Sequence, residues 1–182
     1  DYNGYDISCD GYSDGGIDLT VMGSVPSYTY LWGNGLSTED ISSVSAGIHD
    51  VFITDANSCT TSTSIILDEP TPLVAILVPT DYNGFDISCT GYSDGGIDLT
   101  VSGSVPSYGY LWNNGYSRHD IDILTIGSYD VFITDANSCT TSTSIVLDEP
   151  TPLAVDYMVS QTNGYSICSN ATNGYIDLTI SG

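Results

Sequence analysis

The stretch VFITDANSCTTSTSI at 51–65 returns letter for letter at 131–145, and LDEPTPL follows both times, at 67–73 and 147–153. Within it Val51 and Ile53 fall on one parity and Phe52 on the other, the period-two pattern of a strand with one buried face. Cys59, Ile65 and Leu67 share one parity of the segment that follows, and Asp, Asn and Ser between the two segments are ordinary turn formers.

Outward from this stretch the whole chain repeats. DYNGYDISCDGYSDGGIDLTV at 1–21 recurs as DYNGFDISCTGYSDGGIDLTV at 81–101, a period of 80 residues, and a third copy opens at 161 as QTNGYSICSNATNGYIDLTISG. That period is too long for a solenoid unit and fits a small β-sandwich domain. In GGIDLTV, Ile17, Leu19 and Val21 share one face while Asp18 and Thr20 share the other. YTYLW puts Tyr28, Tyr30 and Trp32 on one side, with Asn34-Gly35 beyond it as a tight-turn signal. LVAILV at 73–78 reads as a buried strand, and Pro79 at its end marks an edge or a break. No segment has helical spacing. About seven short strands per repeat, separated by Gly, Pro and Asn, predict an all-β chain of tandem immunoglobulin-like (PKD-like) antiparallel β-sandwich modules. Pro70 and Pro72, with Pro150 and Pro152, punctuate the repeats. The expected modules are 1–70, lacking its first strand, 71–150, complete, and 151–182, the opening strands of a third.

Of the 182 residues, 41% are hydrophobic and 10% aromatic, enough to bury a core. The formal charge is −22, with no lysine and Arg118 as the one strong cation. Such a surface repels nucleic acid and anionic membranes and attracts cations. No apolar run reaches the roughly 18 residues of a membrane span, so no direct membrane insertion is expected. The first residues already match the middle of a repeat, so the chain reads as a window from a longer protein.

Each full repeat holds one pair of cysteines, Cys9 with Cys59 and Cys89 with Cys139, and Cys168 opens the third. The spacing lacks the CxxC or nearby histidine of a zinc site. Disulfides Cys9–Cys59 and Cys89–Cys139 are expected, with the partner of Cys168 outside the chain; buried free thiols are the alternative. Disulfides of this kind point to an oxidising, extracellular location.

The order NGYDISC, SDGGIDLTV, YTYLW with NG, DISSVSAG, VFITDANSC and LDEP resembles the SprB-type repeat of giant surface adhesins of gliding Bacteroidota. That resemblance implies a cell-surface protein exported through the type IX pathway, whose repeats extend an adhesin during gliding and attachment. It supplies no catalytic residues. Two positions depart from its pattern: Gly47-Ile48-His49 stands where the second copy has Gly127-Ser128-Tyr129, and Pro26-Ser27-Tyr28 replaces the usual Pro-Tyr.

Catalysis finds no support. His49 aligns with Tyr129 and His119 with Glu39, so neither histidine recurs, and pairs such as Asp14 and Asp18 lie on an open strand-and-turn surface. Calcium is the stronger chemical expectation. Asp14, Asp55, Asn57, Asp68 and Glu69, with Asp94, Asp135, Asn137, Asp148 and Glu149 in the second copy, are hard oxygen donors in turns or at module ends, although TDANSC lacks the rest of an EF-hand loop. No cofactor is required. Tyr12, Phe52, Tyr92 and Phe132 point outward and are candidates for stacking on sugars or a neighbouring chain. Asn170-Ala171-Thr172 fits the N-glycosylation pattern. The expected function is a structural and adhesive filament that reaches an external surface or glycan, with self-association into a fibre; a carbohydrate-binding array and a spacer in a secreted enzyme are the alternatives.

Overall fold

The computed structural model describes residues 1–23, 25–161 and 174–182. The first repeat forms β1 (Gly15–Ile17), β2 (Thr29–Trp32), β3 (Ile41–Val44), β4 (Gly47–Thr54) and β5 (Thr60–Leu67). They make two antiparallel sheets, β1-β3 and β2-β4-β5. Alternation decides what each strand buries: Val51 is 1% exposed and Ile53 6%, while Phe52 between them is 57% exposed. Val51 and Ile53 join Ile7, Ile17, Trp32, Ile41, Val44 and Leu67 in one core, against which Tyr28 and Tyr30 pack part-buried. Each fully buried aliphatic chain contributes roughly 1.5–3 kcal/mol. Trp32 keeps its polar tip satisfied, its Nε1 donating to the Thr38 carbonyl at 2.9 Å. The Asn34-Gly35 signal becomes a tight turn in which Gly35 N donates to Trp32 O at 2.9 Å with Gly35 at φ 88°.

The second repeat forms β6 (Val74–Pro79), β7 (Gly95–Ser102), β8 (Gly109–Trp112), β9 (Ile121–Leu124), β10 (Gly127–Thr134) and β11 (Thr140–Leu147), in sheets β6-β7-β9 and β11-β10-β8. This is six strands where the sequence suggests seven. Buried Trp112, Ile121, Val131, Ile133 and Leu147 stand at the positions of the first core. β12 (Ala154–Val159) and β13 (Ile176–Ser181) pair antiparallel, with Val159 opposite Ile176. Among the described residues there is no helix, and the chain has the all-β, antiparallel architecture that the alternation predicts.

One expectation of burial fails. LVAILV is not a buried strand: β6 is the outer strand of its sheet, with Val74, Ile76 and Val78 exposed and Ala75, Leu77 and Pro79 half-buried. An apolar run on an edge strand covers its sheet with one side only, and Pro79 accords with that edge position. Ile65 is likewise 46% exposed, because β5 is the outer strand of β2-β4-β5 and the other sheet of its repeat, β1-β3, has only two short strands.

The histidine that departs from the repeat pattern has a structural task. His49 Nε2 bonds the Ser45 carbonyl at 2.9 Å, and Tyr129 in the second copy donates its hydroxyl to Thr125 O at 3.0 Å. Both tie a strand side chain to a carbonyl four residues upstream, the logic of a tyrosine corner.

By compactness the chain divides into one unit of Asp1–Leu77, Leu99–His119 and Asp130–Ser144 and another of Val78–Asp98, Asp120–Tyr129 and Ile145–Gly182. Inside the first, the connector after Pro70 runs directly against the end of β7. A Cβ at Gly103 would meet the Pro72 carbonyl oxygen at 1.9 Å, and Ser104 N donates to Thr71 O at 2.8 Å. The equivalent Gly23 has open space around it, though both glycines hold positive φ, 82° and 89°. Gly23→Ala is therefore expected to cost about 1 kcal/mol of backbone strain, and Gly103→Ala a further 1–3 kcal/mol, roughly, for the forced shift of the connector. Urea melts of the two variants check this; equal losses would contradict it.

Candidate functional site

The cysteines pair across the repeats rather than within them. Cys9 is bonded to Cys139, with S–S 2.05 Å, Cα–Cα 5.7 Å and a sequence separation of 130, and both residues lie in the first compact unit. Cys59 and Cys89 are free and exposed. The expected bridges Cys9–Cys59 and Cys89–Cys139 are thus corrected, and strand length is the reason. Cys9 is held just past the C-terminal end of β5, where Asp6 N and Ile7 N donate to Asp68 O at 3.0 and 3.1 Å and Gly11 N donates to Glu69 Oε2 at 2.7 Å. Cys59 immediately precedes the N-terminal end of that eight-residue strand. At about 3.3 Å per residue the ends are roughly 26 Å apart, whereas a disulfide needs Cα atoms within about 7 Å. The same bonds recur beside Cys89, from Ile87 N to Asp148 O at 3.1 Å and from Gly91 N to Glu149 Oε2 at 2.8 Å. Closing a loop of this length is worth about 5 kcal/mol in the chain-entropy model, under 1 kcal/mol more than a loop of about fifty residues. Cys168 and the Asn170-Ala171-Thr172 pattern lie outside the described residues.

One side of this junction is the TDANSC turn. Asp135 Oδ1 accepts from Asn137 N at 2.9 Å and Cys139 N at 2.7 Å, while Oδ2 accepts from Val105 N at 3.1 Å and Ser104 Oγ at 2.5 Å. Burial pushes the Asp135 carboxyl up, but the Ser104 hydroxyl and the amides of Val105, Cys139 and Asn137 outweigh it, and the group sits below the usual carboxylate range. The first copy shapes its turn alike: Asp55 Oδ1 accepts from Asn57 N at 2.9 Å and Cys59 N at 2.8 Å. The other side is the DYNG turn and the Ser8-Cys9 segment. Asn137 Nδ2 donates to Ser8 O at 3.0 Å and Tyr2 O at 3.2 Å, and Asn3 Nδ2 donates to Asn137 Oδ1 at 2.5 Å. Tyr2, Asn3 and Ser8 escape a reading of the sequence; the exact return of DYNG at 81–84 is the one signal that points to them.

Other candidate cation ligands also serve backbone amides. Asp14 Oδ1 accepts from Ser8 N at 3.1 Å and Asp94 Oδ1 from Ser88 N at 3.2 Å, and in each the serine hydroxyl is the main cause holding the carboxyl below its ordinary value. Asp148 Oδ1 accepts from Asp86 N at 3.1 Å, while Asp68 contributes its own N–H, donating to Asp6 Oδ2 at 3.0 Å. Among the described residues no group of three or more His, Cys, Asp or Glu side chains comes together in a way that could hold a metal ion. Asp14, Asp55 and Glu69 act as separate acceptors in separate turns.

Tyr12, Phe52, Tyr92 and Phe132 are 55%, 57%, 58% and 47% exposed. Register places Leu31 opposite Phe52 and Leu111 opposite Phe132, so each repeat shows an exposed Leu-Phe pair on the outer face of a three-stranded sheet. A shallow depression beside the second pair is lined by Leu111, Asn113, Asp130, Phe132 and Ser142.

Paired antiparallel sheets built from a repeated sequence, with a disulfide-linked junction and exposed aromatic rings, are the features these residues bring together. Two stretches, 5–37 and 85–116, match the family model described as the SprB repeat, one full repeat period apart. VFITDANSC lies outside both matches. No curated protein matches the chain. Among solved structures, an amphioxus IgVJ-C2 molecule matches at 14% identity and TM-score 0.34, covering 75% of this chain and 96% of that one, a likeness too loose to argue from.

Two outcomes are expected. Asp135→Ala loses about 1.5–3 kcal/mol at neutral pH, since a buried charged acceptor leaves its donors unmet. The folded-state pKa lies below the unfolded value of about 3.9, so this stabilisation is complete above that value and is lost as pH falls through the folded pKa. Denaturant melts of both proteins from pH 7 downward should converge in acid; a pH-independent gap would contradict the assignment. At matched ionic strength, calcium should raise the melting temperature no more than magnesium does, because the acidic side chains are dispersed among separate turns.

Proposed function

We propose that this chain is a structural and adhesive repeat region of a large cell-surface adhesin or filament, giving extended reach and multivalent attachment, in gliding motility and by type IX export. The observation that carries the reading is the SprB repeat matched twice in the same frame. A disulfide accords with an oxidising, extracellular setting. A charge of −22 keeps such a string soluble and away from nucleic acid. The work is mechanical and recognitive rather than catalytic and requires no cofactor. Many weak contacts on one covalently tied string gain strength from effective concentration. The exposed Leu31-Phe52 and Leu111-Phe132 pairs, with Tyr12 and Tyr92, favour one second reading: that the repeats themselves grip glycans.

The test is binding of the whole chain, coupled to beads, to a glycan panel and to bare glass, with calcium and then with chelator. Saturable retention that rises steeply with bead density supports adhesion through the repeats, and its loss in Phe52→Ser/Phe132→Ser places the grip on the outer rings. Retention on neither surface would reduce the repeats to spacers and overturn the adhesive half of the proposal.

A further inference from the structure

The Cys9–Cys139 junction joins two surfaces, and the chain carries each of them twice. One surface is the turn Asp135–Cys139, whose Asn137 and Cys139 enter the junction; the other is the DYNG turn with Ser8 and Cys9, which receives them. Asp55–Cys59 is a second copy of the first surface and 81–89 a second copy of the other, and the cysteine of each, Cys59 and Cys89, is free.

Both unjoined surfaces already hold the joined geometry. Ser58 and Ser138 have φ of 67° and 69°, and the carboxylate of each turn takes the same two amides at distances within 0.1 Å of each other. In the receiving surface, Tyr2 N donates to Tyr5 O and Tyr82 N to Phe85 O, both at 2.7 Å, while Gly4 N and Gly84 N donate to Asp1 and Asp81 at 2.6 Å. Asn3 and Asn83 share positive φ, 54° and 58°, and Tyr12 N and Tyr92 N donate to the carbonyls of Cys9 and Cys89 at 3.1 Å. What differs is cover. Ser8, Cys9 and Cys139 are buried at 8%, 6% and 6% exposure, whereas Cys59 and Cys89 are exposed and Ser88 is half-buried. Cys59 stands at the rim of an open pocket with Val21, Tyr28 and Thr61.

We infer that Cys59 and Cys89 are the two open halves of a heterologous joint whose partner is a further copy of this chain, Cys59 of one copy bonding Cys89 of the next. Because the two halves sit on different surfaces, the contact is head to tail and does not close on itself, so it propagates. Asn57 of one copy then donates to the Tyr82 and Ser88 carbonyls of the other, and Asn83 donates to Asn57. A small disulfide such as oxidised glutathione is the oxidant. The Cys59 thiolate attacks it and releases one glutathione thiol; the Cys89 thiolate attacks the Cys59 sulfur of the mixed disulfide and releases the second. Two thiol protons leave, and two electrons reduce the small disulfide to two thiols.

The experiment uses the full chain carrying Cys168→Ser, equilibrated at high concentration in a glutathione redox buffer, then separated without reductant and mapped by mass spectrometry. The Cys9–Cys139 peptide pair serves as the control for folding. A ladder of oligomers is expected, in which Cys59–Cys89 links exceed Cys59–Cys59 and Cys89–Cys89 links by at least about tenfold. Cys59→Ser or Cys89→Ser should abolish everything above dimer, and Asn57→Ala should lower the preference toward the statistical mixture while leaving both thiols in place. Monomers with free Cys59 and Cys89, or a statistical mixture of links in the unmutated surfaces, would overturn the inference.

Discussion

Eight residues of strand stand between the two cysteines of a repeat, and that separation governs how the chain is joined. A side chain just before β5 and another beside its far end cannot meet, however flexible the turns around them. The bridge that does form, Cys9–Cys139, therefore links one copy to the other. The turn that bears Cys139 and the DYNG turn near Cys9 are shaped to meet, with Asn137 reaching two carbonyls across the joint. Covalent closure therefore rests on a hydrogen-bonded fit and does not substitute for one.

A second constraint comes from composition. A chain with a single arginine and no lysine cannot neutralise its carboxylates with side-chain cations, so it bonds them to backbone amides. Asp135, Asp14, Asp94, Glu69 and Glu149 each take one or more N–H groups that an irregular segment would otherwise leave unmet. These bonds set the turns at the ends of the strands, where the junction lies. The acidity of the sequence is thus partly architectural.

Alternation made the strands legible. Val51, Ile53 and Trp32 are buried and Phe52 and Phe132 exposed, as parity requires, because a pleated strand offers only two sides. LVAILV shows where parity stops informing: an apolar run reads the same in the middle of a sheet as at its edge, and position in the sheet is a tertiary fact. Ile65, which shares its parity with buried Leu67 yet is 46% exposed, shows that parity names a side but not what covers it. The cysteine pairing was hidden more deeply. Loop entropy varies only with the logarithm of length, so spacings of about fifty and 130 differ by less than one favourable hydrogen bond. Strand length decides between them, and strand length becomes visible only with the fold.

The bond between Cys9 and Cys139 also changes how tension travels. A pull applied at the two termini passes from residue 9 to residue 139 through a sulfur–sulfur link, and the loop between them is bypassed. At about 3.5 Å per residue, some 450 Å of contour length stays out of the line of force until that link is reduced. All of the Trp32 core except Ile7 lies inside that loop and is shielded from the load, and the chain's extensibility becomes a function of the redox state around it.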